Sequence, residues 1–297
     1  MGHDGRYAPS PSGPLHLGNL RTALLAWLFA RSAGARFLVR VEDLDRGRSR
    51  PEHEAGQLRD LAAIGLDWDG EVVRQSQRGA LYDAALERLD TYPCYCTRAE
   101  IREASQAPHG AVALYPGTCR ELTAAQRAER EAAGRPPGLR LRVAPDTTIA
   151  FTDRVLGHRS GPVDDMVVRR NDGTAAYNLA VVVDDADQGV GEVVRGADLI
   201  DATPGQLYLY DALGLPRPAH AHVPLVLAPD GARLAKRHGS VTLADRAALG
   251  EPAAAVAARL LESVGLPGHL DAARAAFDAA ALPSEPTVLT EDDLVTA

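Results

Sequence analysis

Lysine is almost missing from this chain. Lys236 is the only one among 32 basic residues, so wherever a plain positive charge sufficed the sequence carries arginine. No Walker-type G-x-x-x-x-G-K-[ST] loop occurs, and "GVGEVVRG" fails the G-x-G-x-x-G spacing, which excludes the commoner phosphate loops. Three cysteines are too few, and odd in number, for a disulfide framework; two of them sit in "PCYCTR", a spacing that suits a metal better than a redox pair. No apolar run reaches the roughly 18 residues needed to span a bilayer, and no early segment has the basic flank and short apolar core of a signal peptide, so a cytoplasmic protein without a membrane partner is expected. A broad basic face is lacking too. The formal net charge of -8 argues against indiscriminate coating of nucleic acid and leaves room only for a local basic patch. Internal repeats are absent.

What the chain does have is bulk: 297 residues with 45% hydrophobic content bury a full core and suit one large domain with an insertion or a smaller second unit. From Gly5 to about Tyr92 the pattern alternates. A short strand leads into the loop "APSPSGPLHLGN", then a helix over Asn19 to Ser32, then the β-branched run "ARFLVRVED", with helices at Pro51 to Ile64 and Gly79 to Leu89. Strand, helix and strand joined by short connections imply an α/β fold with a parallel sheet covered by helices. From Pro93 to Pro162 the alternation stops, and Cys94 to Arg142 carries eight arginines against five acidic residues, which reads as an inserted, locally basic domain. "AYNLAVVVDDADQGVGEVVRGADLID" reads as two apolar strands around an acidic loop. Thr203 with Pro204 then reads as an N-cap and first-turn proline. The alanine-rich tail after Glu251 reads as helical. The divisions are residues 1–92 and 163–232 for the two halves of the α/β domain, 93–162 for the insertion and 233–297 for a charged loop and helical tail.

The opening loop has a physical purpose in such a fold. A parallel sheet places its ligand at the carboxyl ends of its strands, where the first helix N-terminus meets nucleotide phosphates. Gly13 and Gly18 permit close backbone approach, and His16 with Asn19 supplies hydrogen-bond donors for phosphate oxygens. Cys94, Cys96, Tyr115 and Cys119 form C-x-C followed by Y-x-x-x-C, three thiolates and a phenolate for one tetrahedral ion, with His109 competing for the fourth place and three buried free thiols as the plain alternative. Zinc there would be structural, pinning an insertion with little apolar content of its own.

In these stretches the chain resembles the class I aminoacyl-tRNA synthetases, and within them the glutamyl branch. "RYAPSPSGPLHLGNLRTAL" carries "HLGN" where the class has its HIGH tetrad, "RVEDLDRGR" resembles the second signature, and "YNLAVVVDD", "VVRGADLIDATPGQ" and "RLAKR" follow in family order, the last where a KMSKS loop stands. Asn19 replaces the second histidine, Arg233 the first lysine and Ala235 the serine. The resemblance implies a Rossmann-like catalytic domain and adenylation of L-glutamate by ATP with Mg2+. It assigns His16, Gly18, Asn19, Lys236 and Arg237 to ATP, with His16, Asn19 and Lys236 in the catalytic role. Arg6, Ala8, Ser10, Glu42, Tyr177 and Arg195 fall to the amino acid, where Glu42 takes the amino group and the arginines with Tyr177 read the carboxylates. It also implies a zinc-binding insertion and, since the chain stops soon after the KMSKS-like loop, no anticodon-binding domain. This pattern is closest to truncated members of the branch that attach glutamate to the queuosine base in the anticodon loop of tRNA(Asp). A monomer is expected. Charging of the 3′ end of tRNA(Glu) and RNA or glutamate binding without adenylation stay open.

Overall fold

The structure, a computed structural model, describes residues 3–97, 99–101, 114–234 and 241–290. Lys236, Arg237, Ala235 and His109 lie outside the described residues. Strand β1 (Gly5–Tyr7) is followed by the irregular loop and helix α1 (Leu17–Ser32), then β2 (Phe37–Val41), α2 (Pro51–Ala63), β3 (Val73–Arg74) and α3 (Gly79–Leu86). Helix α1 begins two residues before the expected Asn19, because His16 rather than a later residue caps it. It is buried on nearly every side, since the sheet lies on one flank and the C-terminal helices cover the other. That explains a sequence with no polar stripe.

The next segment contains β4 (Thr91–Cys94), α4 (Ala124–Ala132), β5 (Gly138–Leu141), the hairpin β6 (Thr148–Asp153) and β7 (Gly157–Pro162), and β8 (Val167–Arg169). Strands β4, β5 and β8 form a small antiparallel sheet. The hairpin does not stay with them: β6 pairs with a strand of the main sheet. The chain therefore interleaves the two units.

Helix α5 (Tyr177–Asp187) corrects the sequence reading, which took "YNLAVVV" for a strand. A helix whose residues Leu179 to Asp185 are all buried shows a continuous apolar run, and such a run does not separate buried helix from buried strand. The second expected strand is present as β9 (Glu192–Gly196). Helix α6 (Thr203–Ala212) carries a second correction: Ala202 holds the cap position without a side-chain bond, and Thr203, read as the cap, is already helical with its hydroxyl engaged elsewhere. Strands β10 (Ala219–Val223) and β11 (Val226–Leu227), helices α7 (Leu243–Ala248), α8 (Ala253–Glu262) and α9 (Leu270–Ala276), and β12 (Thr287–Val288) complete the order.

The main sheet runs β3-β2-β1-β9-β10-β6-β7, parallel throughout except for β7. This is the α/β Rossmann-like architecture with an inserted small sheet and a helical C-terminal region. Among the described residues no helix is long and apolar enough to cross a membrane.

Candidate active site and metal centre

A cavity of about 570 Å3 opens at the carboxyl ends of β1 and β9, where the sheet order leaves room between the loops. It is lined by Arg6, Ala8, Ser10, His16, Gly18, Asn19, Glu42, Tyr177 and Arg195, so the structure gathers around one space every described residue assigned to ATP or to the amino acid. Arg233 and Leu234 line its mouth. On the far side of the undescribed segment, Val241 accepts a hydrogen bond from the Leu17 amide at 2.8 Å, and Thr242 bridges to His16.

The phosphate-facing end is built by the tetrad itself. His16 Nδ1 accepts from the Asn19 amide at 3.2 Å while Asn19 Oδ1 accepts from the His16 amide at 3.2 Å, a reciprocal cap of the kind usually written with serine and glutamate. With Nδ1 spent as an acceptor, the ring proton belongs on Nε2, leaving one N–H donor on His16 and the Asn19 Nδ2 donors for a ligand. Burial holds the His16 pKa below its ordinary value, against the pull of Asp198, so the ring is neutral and the cap intact near pH 7. A Cβ at Gly18 would stand 3.1 Å from His16 Cε1 and 3.2 Å from Nδ1, so a larger residue there would press on the ring.

The other end is charged and dry. Arg6 and Arg195 are 4% and 5% exposed. Glu42, its side chain 9% exposed, is pushed above the usual carboxylate range by burial despite the opposing pull of Arg40 and Arg6. A buried carboxylate in that condition gains from a cationic guest such as an ammonium group. Burial, together with nearby Arg6, presses the Arg195 guanidinium below its ordinary pKa, so that end gains from an anion.

These groups are held by residues the sequence reading missed. Asp185 grips Arg6 with both oxygens, at 3.1 and 3.3 Å, and accepts from Arg40 at 2.7 Å. Arg40, fully buried on β2, also reaches Glu42 at 3.4 Å. Asp184 holds Gln75, Arg78 and the Tyr82 hydroxyl. The signals were present: an arginine inside the apolar strand "FLVRV" and the "DD" ending the apolar run of α5.

Buried histidines give the fold an acid limit. His220, 3% exposed on β10, is lowered to about 3, chiefly by burial and then by Arg195. The unfolded chain takes up this proton below about pH 6.5 and the folded chain does not, so His220 contributes stability at neutral pH that is lost as pH falls. Urea unfolding at pH 7 and pH 5 is expected to differ by about 2 kcal/mol through this residue alone, and the His220→Gln variant to lose that part of the slope.

The metal-ligand set lies at the start of the small sheet. Sγ atoms of Cys94, Cys96 and Cys119 lie within 4.8 Å of one another. The Tyr115 hydroxyl stands 3.4 Å from Cys94 Sγ and 3.7 Å from Cys96 Sγ, and Cys96 and Cys119 are 3.5 Å apart. Bonds of about 2.3 Å from sulfur to zinc set tetrahedral edges near roughly 3.8 Å, and the separations of 3.4 to 3.7 Å here are of that size. Arg140 Nε donates to Cys94 Sγ at 3.1 Å. The donor set fits zinc.

A second cavity, about 1090 Å3, shares Ser10, Glu42 and Tyr177 with the first and extends to the small sheet. Arg135, Arg140, Arg170 and Asn171 line it, with Arg135 paired to Glu100 at 2.8 Å and Arg170 to Asp172 at 2.7 Å.

Comparison with known proteins bears on this geometry. Residues 4–268 match the family of class I tRNA synthetases (E and Q), catalytic domain. A glutamyl-Q tRNA(Asp) synthetase of Nocardia farcinica is 60% identical, the match covering 99% of this chain and 96% of that protein. A protein of the same name from Symbiobacterium thermophilum is 51% identical over 95% of this chain and 94% of its own length. Among solved structures, a glutamate-tRNA synthetase from Elizabethkingia anophelis superposes with a TM-score of 0.84 at 27% identity, covering 99% of this chain and 69% of that one. With the tetrad capping the first helix of a parallel sheet and this match along nearly its whole length, the chain belongs to the class I aminoacyl-tRNA synthetases of the glutamyl and glutaminyl branch, and it is a ligase of that family.

Proposed function

We propose that this chain joins L-glutamate to ATP and passes the glutamyl group to the queuosine base in the anticodon loop of tRNA(Asp). The observation that carries the reading is the polarity of the first cavity. Buried Arg6 and Arg195 stand with partly buried Glu42 and the exposed Tyr177 at one end, as a dicarboxylate with an ammonium group requires, and the His16–Asn19 helix start forms the other. Names of the relatives from Nocardia farcinica and Symbiobacterium thermophilum support the same reaction.

In this reading Glu42 takes the amino group, the arginines and Tyr177 hold the carboxylates, and Ala8 and Ser10 form the adjoining backbone wall. An α-carboxylate oxygen attacks the α-phosphorus of magnesium-bound ATP, and the bond to the β-phosphate breaks, releasing pyrophosphate. Such phosphoryl chemistry relies on positioning and charge neutralisation. His16 Nε2–H and Asn19 Nδ2 donate to phosphate oxygens, Gly18 lets the nucleotide approach, and Lys236 with Arg237 neutralises the departing phosphates. A hydroxyl of the modified base then attacks the acyl carbon and AMP leaves, its proton passing to solvent. The base enters through the larger cavity, splayed from its loop as RNA recognition allows, while Arg135 and Arg170 meet phosphates. Residues 93–162 are read as the RNA-facing insertion. Zinc held by Cys94, Cys96, Cys119 and Tyr115 would supply a structural cross-link there. The enzyme is read as a cytoplasmic monomer.

The test incubates the protein with ATP, labelled glutamate and tRNA from cells able or unable to make queuosine. Label confined to the queuosine-containing pool is expected. Equal label on both pools would mean 3′-end charging, and absence of glutamate-dependent ATP-pyrophosphate exchange would mean binding without adenylation.

A further inference from the structure

Three adjacent strands of the main sheet carry a buried polar chain that ends in the cavity. Arg195 on β9 stands in register with His222 on β10, and Asp153 ends β6, the next strand over. Asp153 Oδ2 is 2.6 Å from His222 Nδ1, and His222 Nε2 accepts from Arg195 Nε at 3.0 Å. His222 is fully buried and does not line the cavity, so it reaches a ligand only through Arg195.

We propose that His222, fixed by Asp153, is a positioning residue for the amino-acid site, acting by locking the guanidinium of Arg195. The inference rests on the reading of Arg195 as a carboxylate ligand.

Asp153 is itself anchored. Its carboxylate accepts from the amides of Val155, Leu156 and His222 at 2.9 to 3.1 Å. Although burial works against it, the bonds from His222 and Leu156 keep this carboxyl below the usual range, so it is ionised. An ionised oxygen against Nδ1 places the imidazole proton there and leaves Nε2 as a pure acceptor. Burial keeps His222 below its ordinary pKa, which preserves that acceptor.

Arg195 then has little freedom. Nε donates to His222, Nη1 to Gln206 Oε1 at 2.7 Å, and Nη2 to Thr203 Oγ1 at 2.9 Å and the Leu199 carbonyl at 3.3 Å. Four of its five N–H donors are thus committed, and the remaining Nη1 proton is held in one direction. A buried ionic chain of this kind is a poor way to gain stability compared with apolar packing. Its geometry suits the placing of a charge in a site that must discriminate.

The test measures glutamate-dependent ATP-pyrophosphate exchange with glutamate and ATP varied separately. His222→Leu is expected to raise KM for glutamate by roughly 10- to 100-fold, the range seen when the partner that orients a ligating group is lost, while KM for ATP stays within about 2-fold. His222→Gln, whose amide oxygen can accept from Arg195, should restore most of the affinity. Asp153→Asn should move the imidazole proton to Nε2, visible in the nitrogen chemical shifts of His222, and raise KM for glutamate without replacing the histidine. That variant answers the question if His222→Leu does not fold.

Arg195→Lys separates the two levels of the reading. If wild type shows no glutamate-dependent exchange, or Arg195→Lys leaves KM for glutamate unchanged, the amino-acid site is misread and this inference falls with it. If Arg195→Lys raises KM but folded His222 and Asp153 variants match wild type, or raise both KM values in parallel, the inference alone is overturned.

Discussion

Asp185→Asn is expected to unfold at a clearly lower urea concentration than wild type, with a loss of about 3–5 kcal/mol. The carboxylate is 2% exposed and serves two guanidinium groups, both oxygens to Arg6 and one to Arg40. An amide of the same shape keeps the volume but removes the charge, leaving Arg6 without its carboxylate and Arg40 with only the longer contacts to Glu42 at 3.4 Å and Asp184 at 3.6 Å. The penalty is that of stranded charge rather than of a lost contact, so replacing Arg40 by methionine in the same chain should recover part of it. Arg6 would also lose its anchor at the cavity, so glutamate activation should fall in whatever fraction stays folded. Wild-type stability in Asp185→Asn would show that solvent reaches and compensates this network.

The cysteine cluster carries the second large effect. Metal analysis of the purified chain is expected to give one zinc per molecule, falling close to zero in Cys119→Ala. Free energies of zinc binding in structural sites are on the order of 10–16 kcal/mol, far above the stability that a satellite cluster of Tyr92, Tyr95, Tyr115 and the cysteines, flanked by Ile101 and Leu122, can supply. Zinc-free protein should therefore be cut rapidly by protease within the small antiparallel unit while α1 and its strands resist, a difference that limited proteolysis reads directly. Tyr115→Phe tests the fourth ligand: retained metal with weaker affinity fits three thiolates plus the phenolate, and unchanged affinity transfers that place to another donor such as His109.

The sequence reading named residues that line the cavity and missed those that hold them in place. His16 and Asn19 stood out as donors in a loop of prolines and serines before an apolar helix, whereas Glu42 and Arg195 were reached only through the family resemblance. Asp153, His222, Asp185 and Arg40 did not stand out, since each makes its partner across a sequence separation that periodicity cannot see: 69 residues for Asp153 and His222, 145 for Arg40 and Asp185. Helix α5 was misread for a related reason. Enclosure on all sides erases the polar stripe by which a helix is recognised, and valine-rich content then tips the reading toward a strand. Thr203 looked like a cap because its neighbour is proline, yet its hydroxyl is drawn to Arg195, a partner supplied by the tertiary fold.

The crossing of the chain between its two sheets bears on modularity. Hairpin β6–β7 follows the cysteine-bearing unit in sequence and belongs to the main sheet in space, while β8 returns to the small sheet before α5 begins. The small unit is accordingly not a cassette that can be lifted out between two cuts. A graft bounded at 93 and 162 would carry away Asp153 and leave His222 without its carboxylate, so exchange of this unit between relatives must leave the hairpin behind and take β8 along. The boundary that matters for such an exchange is drawn by hydrogen bonds, and it visits the chain more than twice.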